Sequence, residues 1–227
     1  MLSWLFVYLI NANFFHLRIL VLKVLKGALE DLNHVTKLTY DAFHDYPLFN
    51  VSTDKPQLQQ ALYFLLYLNT LANIMCEDCF VCVEGSEIVA SFILKAPQQH
   101  QISFWTYVKV GGWQLPFKCS PKIAGRIMQN LSQSDDVMTE EFGNFWYIDT
   151  LVVSPKYQGQ KIGSRTISQI IDMVEKRGGK DLCLITNTAI NSVFYQKNGF
   201  NEVTRSSFTS FGQVNDTWVF KYEYTIG

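Results

Sequence analysis

A polar loop between an apolar run and a helical pattern has the composition of an anion-binding site. The apolar run ends at Val153, and the helical pattern begins at Ile162. Gly159 and Gly163 have no Cβ, which lets the backbone come close to a ligand. The first amides of a helix point outward, and the helix dipole favours negative charge there. These features predict a phosphate or pyrophosphate site, although the same residues also fit an ordinary strand-to-helix turn.

Asp149 is a second candidate for chemistry, because it is a lone carboxylate in an apolar run. The run from Phe145 to Val153 predicts a central strand. Alternation along a strand places Asp149 on the same face as Tyr147 and Leu151. Burying an unpaired carboxylate is costly, so we expect Asp149 to be paired, near water or in a cleft. It is suited to accept a proton from an incoming ammonium group, or it is a hydrogen-bonded buried residue without a chemical role.

The loop resembles the acyl-CoA-binding loop of the GNAT N-acetyltransferase family, which has the pattern Gln/Arg-x-x-Gly-x-Gly/Ala between a strand and a helix. Gln158, Lys161 and Gly163 occupy the matching positions, with a lysine where the family usually has glycine. If this position requires a positive φ, the lysine is strained by roughly 1 kcal/mol. If only close approach is required, its ammonium group can instead contact a phosphate.

The second part of the resemblance lies in the predicted helix before Gly199-Phe200. Asn191 is followed there by Phe194-Tyr195, which is the order of the family's second signature. Two signatures in the expected order are more specific than either one alone. The resemblance covers residues 20 to 225. It implies an α/β (α+β, mixed sheet) GNAT-like acyl-CoA N-acyltransferase fold, with a mostly antiparallel central sheet flanked by helices.

The resemblance also implies where acetyl-CoA binds as co-substrate. The pantetheine arm lies between the strand ending at Val153 and the strand ending at Thr186, and the loop amides hold the pyrophosphate. Tyr195 donates a proton to the leaving thiolate, for which its unperturbed pKa of about 10 is suitable; without the signature it reads as a core aromatic residue. The implied catalytic residues are Tyr195 and Asp149, and the implied coenzyme contacts are Leu151, Val152, Val153, Gln158, Gly159, Gln160, Lys161, Ile162, Gly163, Ser164, Asn187, Asn191 and Tyr195.

Residues 101 to 145 are expected to form the acceptor side of the cleft, as the equivalent segment tends to do in the family. Aromatic runs at Phe104-Trp105-Thr106-Tyr107 and Gly111-Gly112-Trp113 are followed by acidic pairs at Asp135-Asp136 and Glu140-Glu141. An aromatic wall with carboxylates suits an amine that is partly apolar. The alternative is that the aromatic residues belong to the core and the acidic residues to a solvated loop.

The function that the resemblance implies is transfer of an acetyl group from acetyl-CoA to a primary amine of a small molecule. Asp216-Thr217-Trp218 resembles the end of the small-amine branch, which includes puromycin N-acetyltransferases. Two alternatives stay open. One is a non-catalytic acyl-CoA-binding sensor or interaction module, and the other is an acetyltransferase for a peptide or protein amine.

Composition and charge narrow the class of protein. Hydrophobic residues make up 48% of the chain and charged residues 17%, which indicates a packed globular domain. The net charge of −1 argues against a nucleic-acid-binding surface. Five cysteines are an odd number for a disulfide framework, so we expect a reducing compartment and a cytoplasmic protein. Cys76, Cys79 and Cys82 lack a second ligand pair, so no metal is expected.

Residues 1–16 form a hydrophobic N-terminal extension. Its apolar start is too short for a helix that spans a bilayer, which needs about 20 residues. No basic residue precedes Arg18, which argues against a secretory signal. The extension has three possible interpretations: a packed extra element, an interfacial anchor, or a misplaced start of translation. Membrane contact through residues 1–16 is not favoured. Residues 17–227 are expected to form a single GNAT-like domain, as a monomer or homodimer.

Hydrophobic periodicity gives the expected order of elements. Predicted strands are 17–25, 80–83, 88–94, 145–153, 182–186, 202–207 and 217–224. Predicted helices are 28–43, 57–75, 121–131, one from Ile162 to Gly178-Gly179, and one from Asn187 or Thr188 to Asn198-Gly199. Leu29 is expected on the core-facing side of helix 28–43, and Met128 is expected on the core-facing side of helix 121–131.

Overall fold

The computed structural model describes residues 22–97, 99, 101–138 and 144–224. The predictions for residues 1–16, for residues 17–21 of the first strand and for Glu140-Glu141 lie outside these ranges. The strands are β1 (Lys23–Lys26), β2 (Cys79–Glu84), β3 (Glu87–Lys95), β4 (Trp146–Val153), β5 (Asp181–Thr186), β6 (Asn201–Ser210) and β7 (Gln213–Glu223). The helices are α1 (Leu32–Phe43), α2 (Lys55–Met75), α3 (Phe104–Lys109), α4 (Leu115–Lys118), α5 (Pro121–Asp135), α6 (Ile162–Lys176) and α7 (Ala189–Lys197).

The strands form one mixed sheet in the order β1-β2-β3-β4-β5-β7-β6. β4 and β5 are parallel, and the other neighbouring pairs in this sheet are antiparallel. The parallel pair requires a crossover connection, which α6 supplies. The predicted fold class, a mostly antiparallel mixed sheet flanked by helices, is confirmed.

Helices cover both faces of the sheet. Val81 of β2 packs with residues of α1 and α2 on one face. Its neighbours Phe80 and Cys82 belong to the larger core cluster, which includes residues of α6 and α7 on the other face. This division follows from the alternation of side chains along a strand.

The helices in the described part of the chain all fall short of the length or the hydropathy that a membrane-spanning helix needs.

Side chains and prolines set the starts of several helices. The carboxylate of Asp54 accepts the N–H of Gln57 at 3.2 Å, and proline in the first turn of α2 has no N–H to leave unpaired. The hydroxyl of Thr188 accepts the N–H of Asn191 at 3.4 Å. Of the two predicted caps for the last helix, Thr188 is therefore the one that is used.

Two residues that were predicted to face the core lie on the surface. Leu29 is 65% exposed, because a short 3-10 turn precedes α1 and the helical stripe begins only at Leu32. Met128 is 53% exposed, because Ile123 and Ile127 occupy the buried stripe of α5.

The closing strands β6 and β7 are longer than predicted. They continue to a tight turn, in which residues 211 and 212 have positive φ angles.

Candidate active site

The candidate site is built around the divergence of β4 and β5. Within the described residues, these parallel strands pair only where residues 146–148 lie beside residues 182–184. β4 nevertheless continues to Val153 and β5 to Thr186. The carboxyl ends of both strands therefore border a gap in the sheet, the position at which ligands bind in open sheets with parallel strands.

A β-bulge at Asp149 accompanies this divergence. Ile93 of β3 pairs with Thr150 and Leu94 pairs with Ile148, which leaves Asp149 as the extra residue. A bulge bends its strand and increases the local twist. The end of β4 is therefore turned relative to β5, and the strict alternation predicted for this strand is broken at a candidate catalytic residue.

Backbone groups of Leu151 and Val153 face the gap. The N–H of Ser154 donates to the carbonyl of Val89 at 2.8 Å, and hydrogen-bonded residues alternate along an antiparallel ladder. Val152 therefore bonds to β3, and its side chain is buried in the core. Of the three predicted contacts in this strand, Leu151 and Val153 are oriented toward the gap and Val152 is turned away from it.

The loop after β4 leads into a helix whose first turn points outward. Gly159 has a φ of 77°, Lys161 has a φ of 60°, and no side chain caps α6 at Lys161. The amides of residues 162–164 have no intrahelical carbonyl within reach, as in the first turn of any helix. The side chain of Ile162 is buried in the core, so only its backbone is available on the outside. This geometry fits the predicted anion site.

Lys161 is in the left-handed conformation, so the strained alternative raised by the sequence applies. Lys161→Gly should raise the free energy of unfolding by up to about 1 kcal/mol, because glycine adopts this conformation without a Cβ penalty. Lys176→Gly is the matched control; it removes the same side chain from the last turn of α6 and should lower stability by up to about 1 kcal/mol. Urea unfolding measures both values, and equal destabilisation of the two variants would contradict strain at position 161.

Gly163 lets α6 approach α7 and the end of β4. A Cβ at this residue would lie 3.1 Å from Cζ of Phe194 and 3.6 Å from Cγ2 of Val153. Gly163→Ala should therefore lower the free energy of unfolding by about 1 kcal/mol through overpacking. Gly125→Ala in α5 is the control, since its Cβ would meet nothing within 4 Å and helix propensity favours alanine. In thermal unfolding experiments, Gly163→Ala should have a lower melting temperature than the unchanged protein and Gly125→Ala a higher one. A higher melting temperature for Gly163→Ala would show that the Phe194 ring moves aside without loss of stability.

Asp149 and Asp135 form a pair of interacting carboxylates at the cleft. Burial, and then the charges of Asp149 and Asp136, raise the pKa of Asp135 to about 7. Burial also raises the pKa of Asp149, against the opposing charge of Lys95. Protein atoms surround both carboxylates on several sides, which raises their pKa values, but each side chain still reaches water. A bound ligand that excludes this water would therefore change the pKa values further. Tyr147 is close to both, and its own pKa is raised by burial and by their charges.

A chain of polar side chains connects Asp149 with a buried lysine. Asn69 hydrogen-bonds to Asp149 and accepts the amide N–H of Asn73 at 3.1 Å. Asn73 in turn accepts from the ammonium group of Lys95, which also donates to Asp78 at 2.9 Å. The side chain of Lys95 is only 2% exposed. Its charge therefore acts on Asp149 with little screening and favours the ionised carboxylate.

The aromatic residues of the predicted acceptor segment divide into two groups. Tyr107 lies at the cleft, where its hydroxyl donates to Asn69 at 3.0 Å and burial raises its pKa to about 12. The outward group has large exposed fractions: Phe104 72%, Trp105 69%, Trp113 63% and Phe117 83%. Their exposure contradicts the reading of Phe104, Trp105 and Trp113 as core residues, and their place on the acceptor side of the cleft stays a prediction.

Tyr195 has a buried ring and a phenol near the cleft. The ring packs against Phe200 and Phe220, with centroids 5.8 Å and 6.1 Å away. Tyr46 and Tyr147 are close enough to interact electrostatically with the phenol. Burial, with a smaller contribution from Tyr46, raises the pKa of Tyr195. The hydroxyl therefore carries its proton at neutral pH, and it is a weaker acid than a free tyrosine while the cleft is empty.

Asn187 holds the end of β5 in place. Its side-chain nitrogen donates to Ser134 at 2.9 Å, to the carbonyl of Asp216 at 3.0 Å and to Thr217 at 2.9 Å. Its backbone N–H donates to the hydroxyl of Tyr46 at 2.8 Å. These bonds connect β5 with α5, β7 and the turn after α1. The sequence predicted Asn187 as a coenzyme contact and did not anticipate this structural use of its amide.

The other predicted coenzyme contacts lie on the segments that follow β4 and β5. Gln158 and Gln160 are exposed on the loop, and Ser164 and Asn191 are half-buried in the first turns of α6 and α7. Tyr46 and Asn69 were not predicted as site residues. Asn69 had a weak signal, since it interrupts the apolar run of α2, whereas nothing near Tyr46 indicated that its hydroxyl reaches β5.

Two of the three closely spaced cysteines are buried as neutral thiols. All five are free thiols. Cys79 and Cys82 are buried in β2, where burial raises their pKa values to about 12 and about 11. Metal ligation requires the thiolate. In the part of the chain that the structure describes, no group of His, Cys, Asp and Glu side chains is placed to hold a metal ion.

The sequence of residues 122–202 matches the family model of an acetyltransferase (GNAT) domain. This range contains both signatures, the bulged strand β4 and Asp135. No curated protein sequence matches the chain.

Solved structures share the fold. A Drosophila melanogaster polyamine N-acetyltransferase that forms N-acetylagmatine is 13% identical, with 90% of this chain and 100% of that chain covered and a TM-score of 0.59. A putative arylalkylamine N-acetyltransferase of the yellow fever mosquito is 14% identical, with 89% and 87% covered and a TM-score of 0.61. The PaiA N-acetyltransferase of Thermoplasma acidophilum, solved with coenzyme A, is 13% identical, with 90% and 99% covered and a TM-score of 0.52. The match to the acetyltransferase (GNAT) domain model over residues 122–202 and the fold shared with solved N-acetyltransferases both agree with the family that the two signatures resemble.

Proposed function

We propose that the protein transfers the acetyl group of acetyl-CoA to the primary amine of a small molecule. The observation that carries this proposal is the gap between β4 and β5. An outward-facing helix terminus lies at the end of β4, and a pair of carboxylates lies at the bulge within the same strand. The first suits a diphosphate and the second suits an ammonium group.

In this proposal the pantetheine arm of acetyl-CoA lies along the end of β4. Leu151 and Val153 offer backbone groups there, and the amides of residues 162–164 receive the pyrophosphate. A backbone N–H that faces the thioester carbonyl would stabilise the oxyanion, an interaction that typically contributes about 3 to 4 kcal/mol.

The acceptor amine enters the side of the cleft that carries Asp135 and Asp149. The negative charge of these carboxylates attracts an ammonium group, and Tyr107 and Tyr147 provide aromatic surface beside it. The polar chain through Asn69 holds Asp149 in position. A small cationic amine with an apolar portion fits this combination.

The reaction needs three proton transfers, two from the nitrogen and one to the sulfur. Asp149 takes a proton from the ammonium group, directly or through one water molecule. The amine nitrogen then attacks the thioester carbonyl carbon, and the C–S bond breaks as the amide forms. Tyr195 donates its proton to the departing thiolate of coenzyme A. The acylated nitrogen then loses its second proton, which returns directly or through water to the Tyr195 oxygen, and Asp149 releases its proton to solvent. The products are the N-acetylated amine and free coenzyme A.

The test is release of free thiol from acetyl-CoA in the presence of an amine panel. The panel includes agmatine, a polyamine, an arylalkylamine and a peptide with a free N-terminus, since the structurally similar proteins are named for amines of the first three kinds. We expect at least one small amine to raise thiol release above the buffer rate. Saturable thermal stabilisation by coenzyme A without any turnover would support the sensor alternative, and turnover of the peptide alone would support the protein-amine alternative.

We further propose that residues 17–227 act as one domain in the cytoplasm. Five unpaired cysteines, three of them with pKa values raised to about 11 or 12 by burial, suit a reducing compartment. Cell fractionation with an antibody against the protein tests the compartment, and recovery in a secreted or organelle fraction would contradict it.

A further inference from the structure

Four large aromatic side chains lie exposed on the short helices between β3 and α5. Phe104 and Trp105 are on α3, Trp113 is in the turn that follows, and Phe117 is on α4. The rings of Phe104 and Trp105 are 5.6 Å apart in an edge-to-face contact. Exposed apolar residues are ordinary when they are scattered singly, but a concentration of large ones indicates an interaction surface.

The same segment has an unusual charge. No Asp or Glu occurs from Ile88 to Ser134, a segment that holds five of the chain's 19 basic residues and none of its 20 acidic ones. Lys109 at the end of α3 and Lys118 at the end of α4 are both exposed. Lys95, the first basic residue of the segment, is buried in an ion pair with Asp78 and adds nothing to the surface charge. Lys109 and Lys118 remain as exposed positive charges near the exposed aromatic residues, and no acidic residue of the same segment offsets them.

This surface is held on a fixed base. Val110 is buried against Leu68 and Ala72 of α2, and the hydroxyl of Tyr107 donates to Asn69 of the same helix at 3.0 Å. The inner side of the segment is thus packed while its aromatic side faces outward. The exposed side chains can therefore contact a ligand without a refolding of the segment that carries them.

We propose that these exposed side chains, named here the α3–α4 surface (Phe104, Trp105, Lys109, Trp113, Phe117 and Lys118), bind the interface of an anionic lipid bilayer. Aromatic side chains, tryptophan above all, favour the headgroup level of a membrane, and lysines favour anionic lipids. Such binding is peripheral, with the aromatic residues inserted to a shallow depth. A second copy of the chain is a poorer occupant, because a two-fold contact would bring the lysines of both copies together.

The experiment uses the full-length protein and sucrose-loaded vesicles of phosphatidylcholine, with or without 30% phosphatidylserine. We expect co-sedimentation with the phosphatidylserine vesicles, weaker binding to phosphatidylcholine alone, and a decrease at high salt. Trp105→Ser with Phe117→Ser should weaken binding at least tenfold. Lys109→Gln and Lys118→Gln should each weaken it about fivefold, the usual effect of one lysine at an anionic surface.

Matched controls distinguish binding through the α3–α4 surface from non-specific adsorption to vesicles. Met75→Ser and Val214→Ser remove apolar side chains that are 57% and 71% exposed elsewhere, and Lys176→Gln and Lys180→Gln remove exposed lysines elsewhere. All four should bind vesicles like the unchanged protein. Thermal unfolding verifies that every variant is folded.

Three results would overturn the proposal. The first is equal or absent binding to both kinds of vesicle. The second is a concentration-dependent dimer that Trp105→Ser with Phe117→Ser abolishes, which would assign the surface to self-association. The third is acrylamide quenching of tryptophan fluorescence that is the same in the free protein and in Trp105→Phe, which would show that the protein covers this surface itself.

Discussion

Tyr195→Phe should lower kcat for acetyl transfer by about 10²- to 10⁴-fold, the usual contribution of a positioned proton donor. The substitution removes only the hydroxyl group, so the packing of the ring against Phe200 and Phe220 is kept. Coenzyme binding should therefore persist. Thiol release measures the rate, and the rise in melting temperature with added coenzyme A measures the binding.

Tyr222→Phe is the matched control for this experiment. Tyr222 also packs against Phe200, with ring centroids 5.6 Å apart, but it lies in β7 away from the cleft. Its loss of a hydroxyl should leave kcat unchanged. An unchanged kcat in Tyr195→Phe would assign the proton transfer to another group, and loss of the coenzyme-induced stabilisation would show that Tyr195 acts in binding.

Asp149→Asn should reduce kcat/KM by about 10²-fold or more, because asparagine cannot accept the proton of the ammonium group. The same change should lower the pKa of Asp135. The charge of Asp149 contributes to raising that pKa to about 7, and asparagine carries no charge. Carbon-13 NMR titration of the aspartate carboxyls should show a step near pH 7 in the unchanged protein and a step at lower pH in the variant.

The control for Asp149→Asn is Asp172→Asn on the exposed face of α6. It removes one carboxylate without touching the cleft, so both the rate and the step near pH 7 should stay as they are. A fully active Asp149→Asn variant would remove the proposed base. A step that does not move would mean that the two carboxylates do not interact.

The sequence predicted most elements within a few residues, because their patterns are local. The continuous apolar run of β3 and the stripe of Ile167, Ile170 and Val174 in α6 are each visible in a short window of sequence. The loop predicted to bind coenzyme could be recognised for the same reason: its glutamine, lysine and glycine are close in the chain. The family resemblance singled out Tyr195 as a candidate proton donor, whereas periodicity alone would have assigned it to the core.

The acceptor side of the cleft was harder to predict, because its residues meet only in the folded chain. Tyr46 precedes Pro47 in an ordinary helix-ending pattern, yet its hydroxyl accepts the N–H of Asn187, far away in sequence. The bulge at Asp149 depends on the pairing with β3, which a single strand does not reveal. The exposed positions of Phe104 and Trp105 were missed because hydrophobicity scales assign aromatic residues to the interior.

The extra residue in β4 makes the interior of the protein and its ligand gap depend on one another. If Asp149 instead paired one to one with β3, Thr150 through Val153 would each shift by one position and turn to the opposite face of the sheet, since side chains alternate with a period of two. The bulge keeps Leu151 and Val153 on the face of Ile148, where they pack against the large core cluster. Deleting Asp149 would keep these faces and remove the bend, so the packing of the sheet should tolerate the loss of this residue better than the gap beside it does.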